Sequence, residues 1–244
     1  MSLVMSSCTY AYRRWQRPVL DRLDYRLPDG LTILLGPNGA GKSTLLRLAA
    51  SVTRPDSGKV SYGDISSTVR DYRRHVAWMP QTITAMPSLT AREYVAYCGW
   101  LKGMNRSDAW LRAATALKKV ELSDRASVKT TRLSGGQLRR VGVAAAIVHE
   151  ARVLLLDEPT AGMDPRQRRV FYNQIRALTG EVAVMISTHD IMDLAEDAGH
   201  VTVLTKGTIV HSGTTESFLK QAPEGAPDGR RAEAAYTALV DSEG

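Results

Sequence analysis

Gly36-Pro37-Asn38-Gly39-Ala40-Gly41-Lys42-Ser43-Thr44 matches the pattern G-x-x-x-x-G-K-[ST] in full. The apolar run before it, Leu31–Leu35 (LTILL), is bounded by Asp29-Gly30 and Gly36 and reads as a buried strand. The stretch after it, from Gly41 to about Ala50, reads as a helix. Strand, glycine-rich turn and helix are the context the pattern needs. Glycines let successive backbone N–H groups turn inward around phosphate oxygens, and the helix N-terminus adds unsatisfied donors and a partial positive charge. Lys42 is placed to reach the β- and γ-phosphates of a nucleotide, and the Ser43 hydroxyl to ligate Mg²⁺. A dinucleotide fingerprint starting at Gly39 fails, because Thr44 stands at its third glycine position.

Such a loop serves many phosphate chemistries, so a second element has to narrow the choice. Val153-Leu154-Leu155-Leu156-Asp157-Glu158 is an apolar strand ending in two acids, which delivers carboxylates to the sheet edge where ligands bind. Asp157 is the candidate holder of Mg²⁺, through water. Glu158, one residue further, is the candidate general base that polarises an attacking water. Taken alone, the two acids could equally open a turn before Pro159.

Short apolar runs recur at His75–Met79, Val182–Ser187 and Val201–Leu204, as expected of strands buried on both faces of a parallel sheet. Helical patterns lie between the later ones. Leu138, Val141, Ala145 and Val148 share one helix face, and Asp164-Pro165 reads as N-cap and first residue of a helix with Phe171, Ile175 and Leu178 on one stripe. The alternation predicts an α/β fold. Glu93–Leu101 and Ser107–Val120 are helix-like without an intervening strand, the second with Trp110, Ala114 and Leu117 in register. The expected organisation is therefore an α/β core over 1–85 and 134–213, an inserted helical subdomain over 86–133, and a C-terminal tail over 214–244. In the tail, Pro223–Gly229 is a loop and Arg231–Val240 a short helix.

Leu133-Ser134-Gly135-Gly136-Gln137 resembles the signature motif of ATP-binding cassette (ABC) proteins, with Gln137 twenty residues ahead of Asp157. Ser134 and the two glycines open a helix whose free N–H donors make a second anion site. In the family this site grips the γ-phosphate of ATP bound to the opposite subunit. The resemblance, which runs from about Tyr12 to Gly213, therefore implies a dimer, expected to be a homodimer, closing head to tail over two Mg·ATP. It assigns further roles residue by residue. Gln81 resembles the glutamine that contacts Mg²⁺ and the attacking water. Ala161-Gly162-Met163-Asp164 resembles the loop whose aspartate communicates across the dimer, with Met163 in place of leucine, a swap that conserves volume. Ser187-Thr188-His189-Asp190 resembles the switch segment that places His189 near the γ-phosphate. The implied fold is a P-loop NTPase core of parallel sheet flanked by helices, with an N-terminal antiparallel β portion and the helical insertion. Family members stack adenine on an aromatic residue upstream of the phosphate loop. Tyr12 is the candidate, with Tyr10 and Trp15 as alternatives, and ordinary packing accounts for any of the three.

The composition fits this reading. With 244 residues, 43% of them hydrophobic and 23% charged, a sizeable core is expected and global disorder is not. No apolar stretch reaches the roughly 18 residues of a membrane span; the longest is Val141–Val148. Met1–Met5 lacks the basic-then-apolar pattern of a secretory signal. Cys8 and Cys98 make no disulfide framework, which suits a reducing cytoplasm. The net charge of +7 is densest at Arg13, Arg14, Arg17, Arg22 and Arg26, read as a solvated face, with nucleic-acid binding as the alternative that interleaved aromatics leave open. No nucleic-acid partner is expected. A cytoplasmic ATPase peripheral to the inner face of the membrane, held there by a separate integral permease, is. Leu89–Glu93 and Glu158–Pro165 look most like ATPase subunits of drug and antibiotic exporters, although importers share most of these features. The competing class is a soluble cassette ATPase acting on DNA or ribosomes. The stretch from Gly41 to Ser134 is short and lacks heptads, unlike the DNA-repair kind, and one cassette is unlike the translation-related kind.

Overall fold

The computed structural model describes residues 1–13, 15–189 and 198–241. Arg14 and Asp190 thus lie outside the described residues. The chain opens with β1 (Leu3–Tyr10) and β2 (Leu20–Arg26), then β3 (Leu31–Leu35) and α1 (Lys42–Ala49). A hairpin of β4 (Ser57–Tyr62) and β5 (Ile65–Ser66) and a helical turn α2 (Tyr72–His75) lead into β6 (Val76–Met79). Three helices follow, α3 (Ala91–Leu101), α4 (Arg106–Lys119) and α5 (Gly135–Ile147), before β7 (Val153–Asp157), α6 (Pro165–Leu178) and β8 (Ala183–Thr188). The chain finishes with β9 (His200–Thr205), β10 (Thr208–Thr214), α7 (Thr215–Leu219) and α8 (Arg231–Asp241).

Two sheets result. One is antiparallel in the order β2-β1-β4-β5; the other runs β10-β9-β3-β8-β7-β6. In the larger sheet β9, β3, β8, β7 and β6 are mutually parallel, and only the edge strand β10 pairs antiparallel. This is the expected α/β architecture with its N-terminal antiparallel portion.

The apolar runs are solid because both faces of the larger sheet are covered. Alternate residues point to opposite sides. Ile33, Leu154, Leu156, Val184 and Ile186 join one cluster with residues of α3 to α8. Leu34, Val153, Leu155 and Met185 join another with α1 and the antiparallel sheet. The tail packs on the first cluster, with Phe218 and Ala235 fully buried.

Three sequence expectations need correction. His75 belongs to α2, and the strand starts at Val76. In α4 the buried positions are Ala109, Ala113, Ala116 and Leu117, whereas Trp110 is 44% exposed with the Arg92 guanidinium over its ring. The stripe is one of small residues because α4 lies close against α3 and α5. The helix α5 does not bury a single face. Val141, Gly142, Val143, Ala144 and Ala146 are all buried, because α5 packs on β6 and on α3 and α4. A Cβ on Gly142 would come within 2.8 Å of the Ile83 side chain, so glycine is what lets the two segments approach.

Candidate functional site

In parallel sheets the ligand-bearing edge is the carboxyl end of the strands. Four segments leave the larger sheet at that edge: the loop after β3, Gln81 after β6, Glu158 after β7 and His189 after β8. These strands are consecutive neighbours in the order β3-β8-β7-β6, so segments far apart in sequence become adjacent. A cavity of about 440 Å³ at this edge is lined by Tyr12, residues 37–44, Gln81, Glu158 and His189.

The phosphate loop has the backbone the pattern demands. Gly39 has φ 82° and Gly41, the residue capping α1, has φ 105°, both in the left-handed region that favours glycine. Gly36 is required for another reason: a Cβ there would sit 2.2 Å from the Leu204 carbonyl oxygen on β9. Replacing Gly36 by Ala must push the loop off the sheet, with an expected cost of about 1–3 kcal/mol. Chemical denaturation checks this, and an unchanged midpoint would show that the loop moves freely.

Lys42, 6% exposed, donates from Nζ to the Gly36 carbonyl at 2.6 Å and to the Pro37 carbonyl at 3.1 Å. Burial pushes its pKa down, and the Glu158 and Asp157 carboxylates oppose the fall. Ser43 Oγ donates to Asp157 Oδ1 at 3.0 Å, and Ser187 Oγ donates to the same oxygen at 2.7 Å. Tyr12 OH and Thr44 Oγ1 are 2.8 Å apart, which holds the tyrosine beside the loop although it is 54% exposed. Tyr12 packs edge-on against Tyr10, and it, not Tyr10 or Trp15, lines the cavity.

Glu158 takes a left-handed backbone, φ 43°. Its N–H donates to the Ser187 carbonyl at 3.2 Å and to Ser187 Oγ at 3.0 Å. Its Oε2 accepts from Gln81 Nε2 at 2.9 Å, and its Oε1 lies 3.5 Å from His189 Nδ1. A carboxylate, an amide and an imidazole thus converge in the cavity that the phosphate loop also lines.

The signature segment lies elsewhere. Ser134 caps α5 in a reciprocal box: its Oγ accepts from the Gln137 N–H at 3.3 Å, and Gln137 Oε1 accepts from the Ser134 N–H at 3.0 Å. The box satisfies the N–H groups of Ser134 and Gln137, and Gly135 and Gly136 open the helix between them. Asp164 caps α6, its Oδ1 accepting from the Gln167 N–H at 2.8 Å. Ser134, Gly136, Gln137, Met163 and Asp164 line a second cavity of about 400 Å³, distinct from the one holding Lys42 and Glu158. Leu133 packs against the main core.

The ABC transporter family profile matches residues 20–161, more than half of the chain. The chain belongs to the ABC transporter family. Among curated relatives, the daunorubicin/doxorubicin resistance ATP-binding protein DrrA of Streptomyces peucetius is 36% identical over 200 residues, covering 80% of this chain and 61% of the relative. The linearmycin resistance ATP-binding protein LnrL of Bacillus subtilis (strain 168) is 31% identical over 203 residues, covering 82% and 65%. The chain thus spans less than two thirds of either relative. Among solved structures, the bacterial ABC transporter cassette MJ0796, solved as a dimer and in a dimeric post-hydrolysis state bound to ADP and Pi, superposes with TM-score 0.77 at 25% identity, covering 87% of this chain and 98% of that one.

Of the residues that the ABC resemblance singles out, the structure brings together Tyr12, the phosphate loop, Gln81, Asp157, Glu158 and His189. It sets Leu133–Gln137 and Asp164 apart from them. Two site residues escaped the sequence reading. Ser187 was quoted only as part of the histidine segment, yet it fixes both Asp157 and the backbone of Glu158. Arg139 reads in the sequence as one more arginine in a basic chain. Arg13, Arg17, Arg22 and Arg26 are exposed.

Proposed function

We propose that this chain is the ATP-binding and ATP-hydrolysing subunit of an ABC transporter, working as a head-to-tail dimer that drives a separate integral membrane permease, and that the transporter exports drugs, antibiotics or similar compounds. The observation that carries the dimer is the separation of the two anion sites. Lys42 and Ser43 line one cavity and Ser134 another, so one copy has no means of closing its signature on its own nucleotide. A second copy related by a two-fold axis supplies each site with the other's signature.

Lys42 and the N-terminus of α1 bind the β- and γ-phosphates, and Tyr12 flanks the base. Ser43, Asp157 and Gln81 would hold Mg²⁺: a hydroxyl and a carboxylate oxygen already 3.0 Å apart, with a side-chain amide nearby, are the hard oxygen donors that this ion takes together with phosphates. Bound there, Mg²⁺ neutralises charge on the phosphate oxygens. Glu158 accepts the proton of the attacking water while Gln81 and His189 orient the carboxylate and the γ-phosphate. ATP favours the closed dimer because only there does its γ-phosphate meet both anion sites, and hydrolysis removes that bridge.

A groove lined by Trp78, Pro80, Ile83, Met86, Tyr94 and Leu101 lies between the Gln81 segment and the helical insertion over 86–133. It is our docking place for the permease, which holds the subunit at the inner face of the membrane. No helix among the described residues is long and apolar enough to cross a membrane. Export is favoured by the relatives named for daunorubicin/doxorubicin and linearmycin resistance. The test is affinity capture of a tagged Glu158→Gln chain from detergent-solubilised native cells in Mg·ATP, with mass spectrometry. A polytopic membrane protein in stoichiometric amount is expected. Ribosomal proteins or DNA in its place would overturn the transporter assignment.

A further inference from the structure

Arg139 stands on α5, five positions past the signature serine, and its guanidinium reaches the backbone of two other segments. Its Nη1 donates to the carbonyl oxygens of Gln81 at 3.1 Å, Glu158 at 3.1 Å and Pro159 at 3.3 Å. One such nitrogen carries two hydrogens, so three carbonyls share two N–H groups in a bifurcated arrangement. Burial lowers its pKa, with the Glu158 carboxylate opposing the fall, and a guanidinium keeps its charge through such a shift.

The carbonyls it holds are not arbitrary. Glu158 sits at φ 43°, a conformation that costs a residue with a side chain roughly 1–2 kcal/mol and persists only when its surroundings impose it. On the N-terminal side that backbone is held by Ser187, at 3.0 and 3.2 Å. On the C-terminal side it is held by Arg139. The direction of the Glu158 carboxylate follows from both anchors. The third carbonyl belongs to Gln81, whose amide donates to that carboxylate at 2.9 Å. One side chain therefore grips both members of the Gln81–Glu158 pair by their main chains. It does so from the helix that has Ser134 at its N-terminus.

We propose that Arg139 is a positioning residue that sets Gln81 and Glu158 against each other and ties their alignment to the placement of the signature helix. This rests on the reading of Glu158 as the base. In a head-to-tail dimer the signature of one copy meets the nucleotide of its partner. Arg139 then links engagement of the partner's ATP to the readiness of the carboxylate in its own chain, a coupling between the two sites. A shift of α5 relative to the sheet stretches bonds of 3.1 to 3.3 Å beyond hydrogen-bonding reach, so the link needs only a small movement.

The test uses the full chain with Arg139→Met, which keeps an apolar stem and removes every donor, and Arg139→Lys, which keeps the charge and its donors on one nitrogen. Steady-state ATPase activity, binding of a fluorescent ATP analogue and thermal melting are measured beside wild type and Glu158→Gln. Arg139→Met is expected to lower kcat about 10- to 100-fold, part of what a general base contributes. Its KM and nucleotide affinity stay within about threefold, positive cooperativity in ATP is lost, and Arg139→Lys recovers part of kcat. If Glu158→Gln is inactive while Arg139→Met binds ATP and turns over at the wild-type rate, the inference is wrong and the base assignment stands. If Glu158→Gln itself turns over normally, the base assignment fails and takes this inference with it. Equal losses in both variants that track a fall in melting temperature would reduce Arg139 to a packing role. Should Arg139→Met not fold, Arg139→Lys decides: a kcat unchanged from wild type, with cooperativity intact, overturns the proposal.

Discussion

Glu158→Gln is expected to bind Mg·ATP as the wild type does, to accumulate as a dimer and to show almost no turnover. The substitution is nearly isosteric, so Gln81 can still donate to an oxygen in the place of Oε2, where the contact is 2.9 Å. The backbone anchors from Ser187 and Arg139 do not involve the side chain and persist. What is lost is a group able to take a proton from water. General-base catalysis is worth about 10²–10⁴ in rate, and kcat should fall by that factor while affinity changes less than about threefold. In the proposed sandwich, blocking hydrolysis preserves the γ-phosphate that would bridge the loop of one copy and the signature of the other. Size-exclusion chromatography in Mg·ATP should then show a dimer that disappears in Mg·ADP. A variant that remains monomeric at saturating Mg·ATP would refute the sandwich, and one with wild-type turnover would refute the base.

The large sheet and the phosphate loop were legible in the sequence for one physical reason. Strands covered on both faces cannot alternate, so Leu31–Leu35, interrupted only by the buried Thr32, and Val153–Leu156 appear as near-continuous apolar runs. The antiparallel sheet was implied only by the family resemblance, because its strands break the two-residue period. β1 carries a bulge between Met5 and Cys8, with Ser7 at φ 47°, and β2 answers it between Leu20 and Leu23, with Arg22 at φ 44°. Each bulge inserts a residue and throws the buried positions out of alternation. Gly58 on β4 accommodates the first, since a Cβ there would meet the Ser7 carbonyl oxygen at 2.3 Å.

The site divides in the same way. Residues whose type is dictated by chemistry stood out: Lys42 for phosphate, Asp157 and Glu158 as an acid pair at a strand end, and Gly39 and Gly41 for backbone no other residue adopts readily. Residues that act by holding main chain did not, because any donor of the right reach would serve. Ser187 and Arg139 are of this kind. Trp110 misled for a related reason: its spacing agreed with an apolar stripe, but its partner is Arg92 on the neighbouring helix α3, and the closely packed face is made mostly of alanines.

Lys42→Ala should weaken ATP binding on the order of a hundredfold without unfolding the chain, and the two halves of that statement have different causes. The Lys42 ammonium is nearly enclosed by the loop and meets two carbonyls, at 2.6 and 3.1 Å from Gly36 and Pro37. A hydrogen bond to a charged group contributes about 1.5–3 kcal/mol, and a lysine that serves both β- and γ-phosphates forfeits at least one such contact. At 1.4 kcal/mol per tenfold, the loss in affinity for ATP is on the order of 10²-fold. AMP, which lacks both phosphates, should bind the variant and the wild type alike, so the ratio of ATP to AMP affinity isolates the lysine from general damage. The loop itself is braced independently. The Ala40 N–H donates to the Pro37 carbonyl at 3.2 Å, the Gly207 N–H donates to the Ala40 carbonyl at 3.0 Å, and Leu45, Leu46 and Leu48 anchor α1 in the core. Removing a buried cation also relieves its desolvation, which offsets the donors lost to the two carbonyls. Calorimetric titration with ATP and AMP, beside a melting curve, checks both halves. Normal ATP affinity in a folded variant would mean that the loop binds phosphate through backbone N–H groups alone, and that the carbonyl-held lysine is a structural cation.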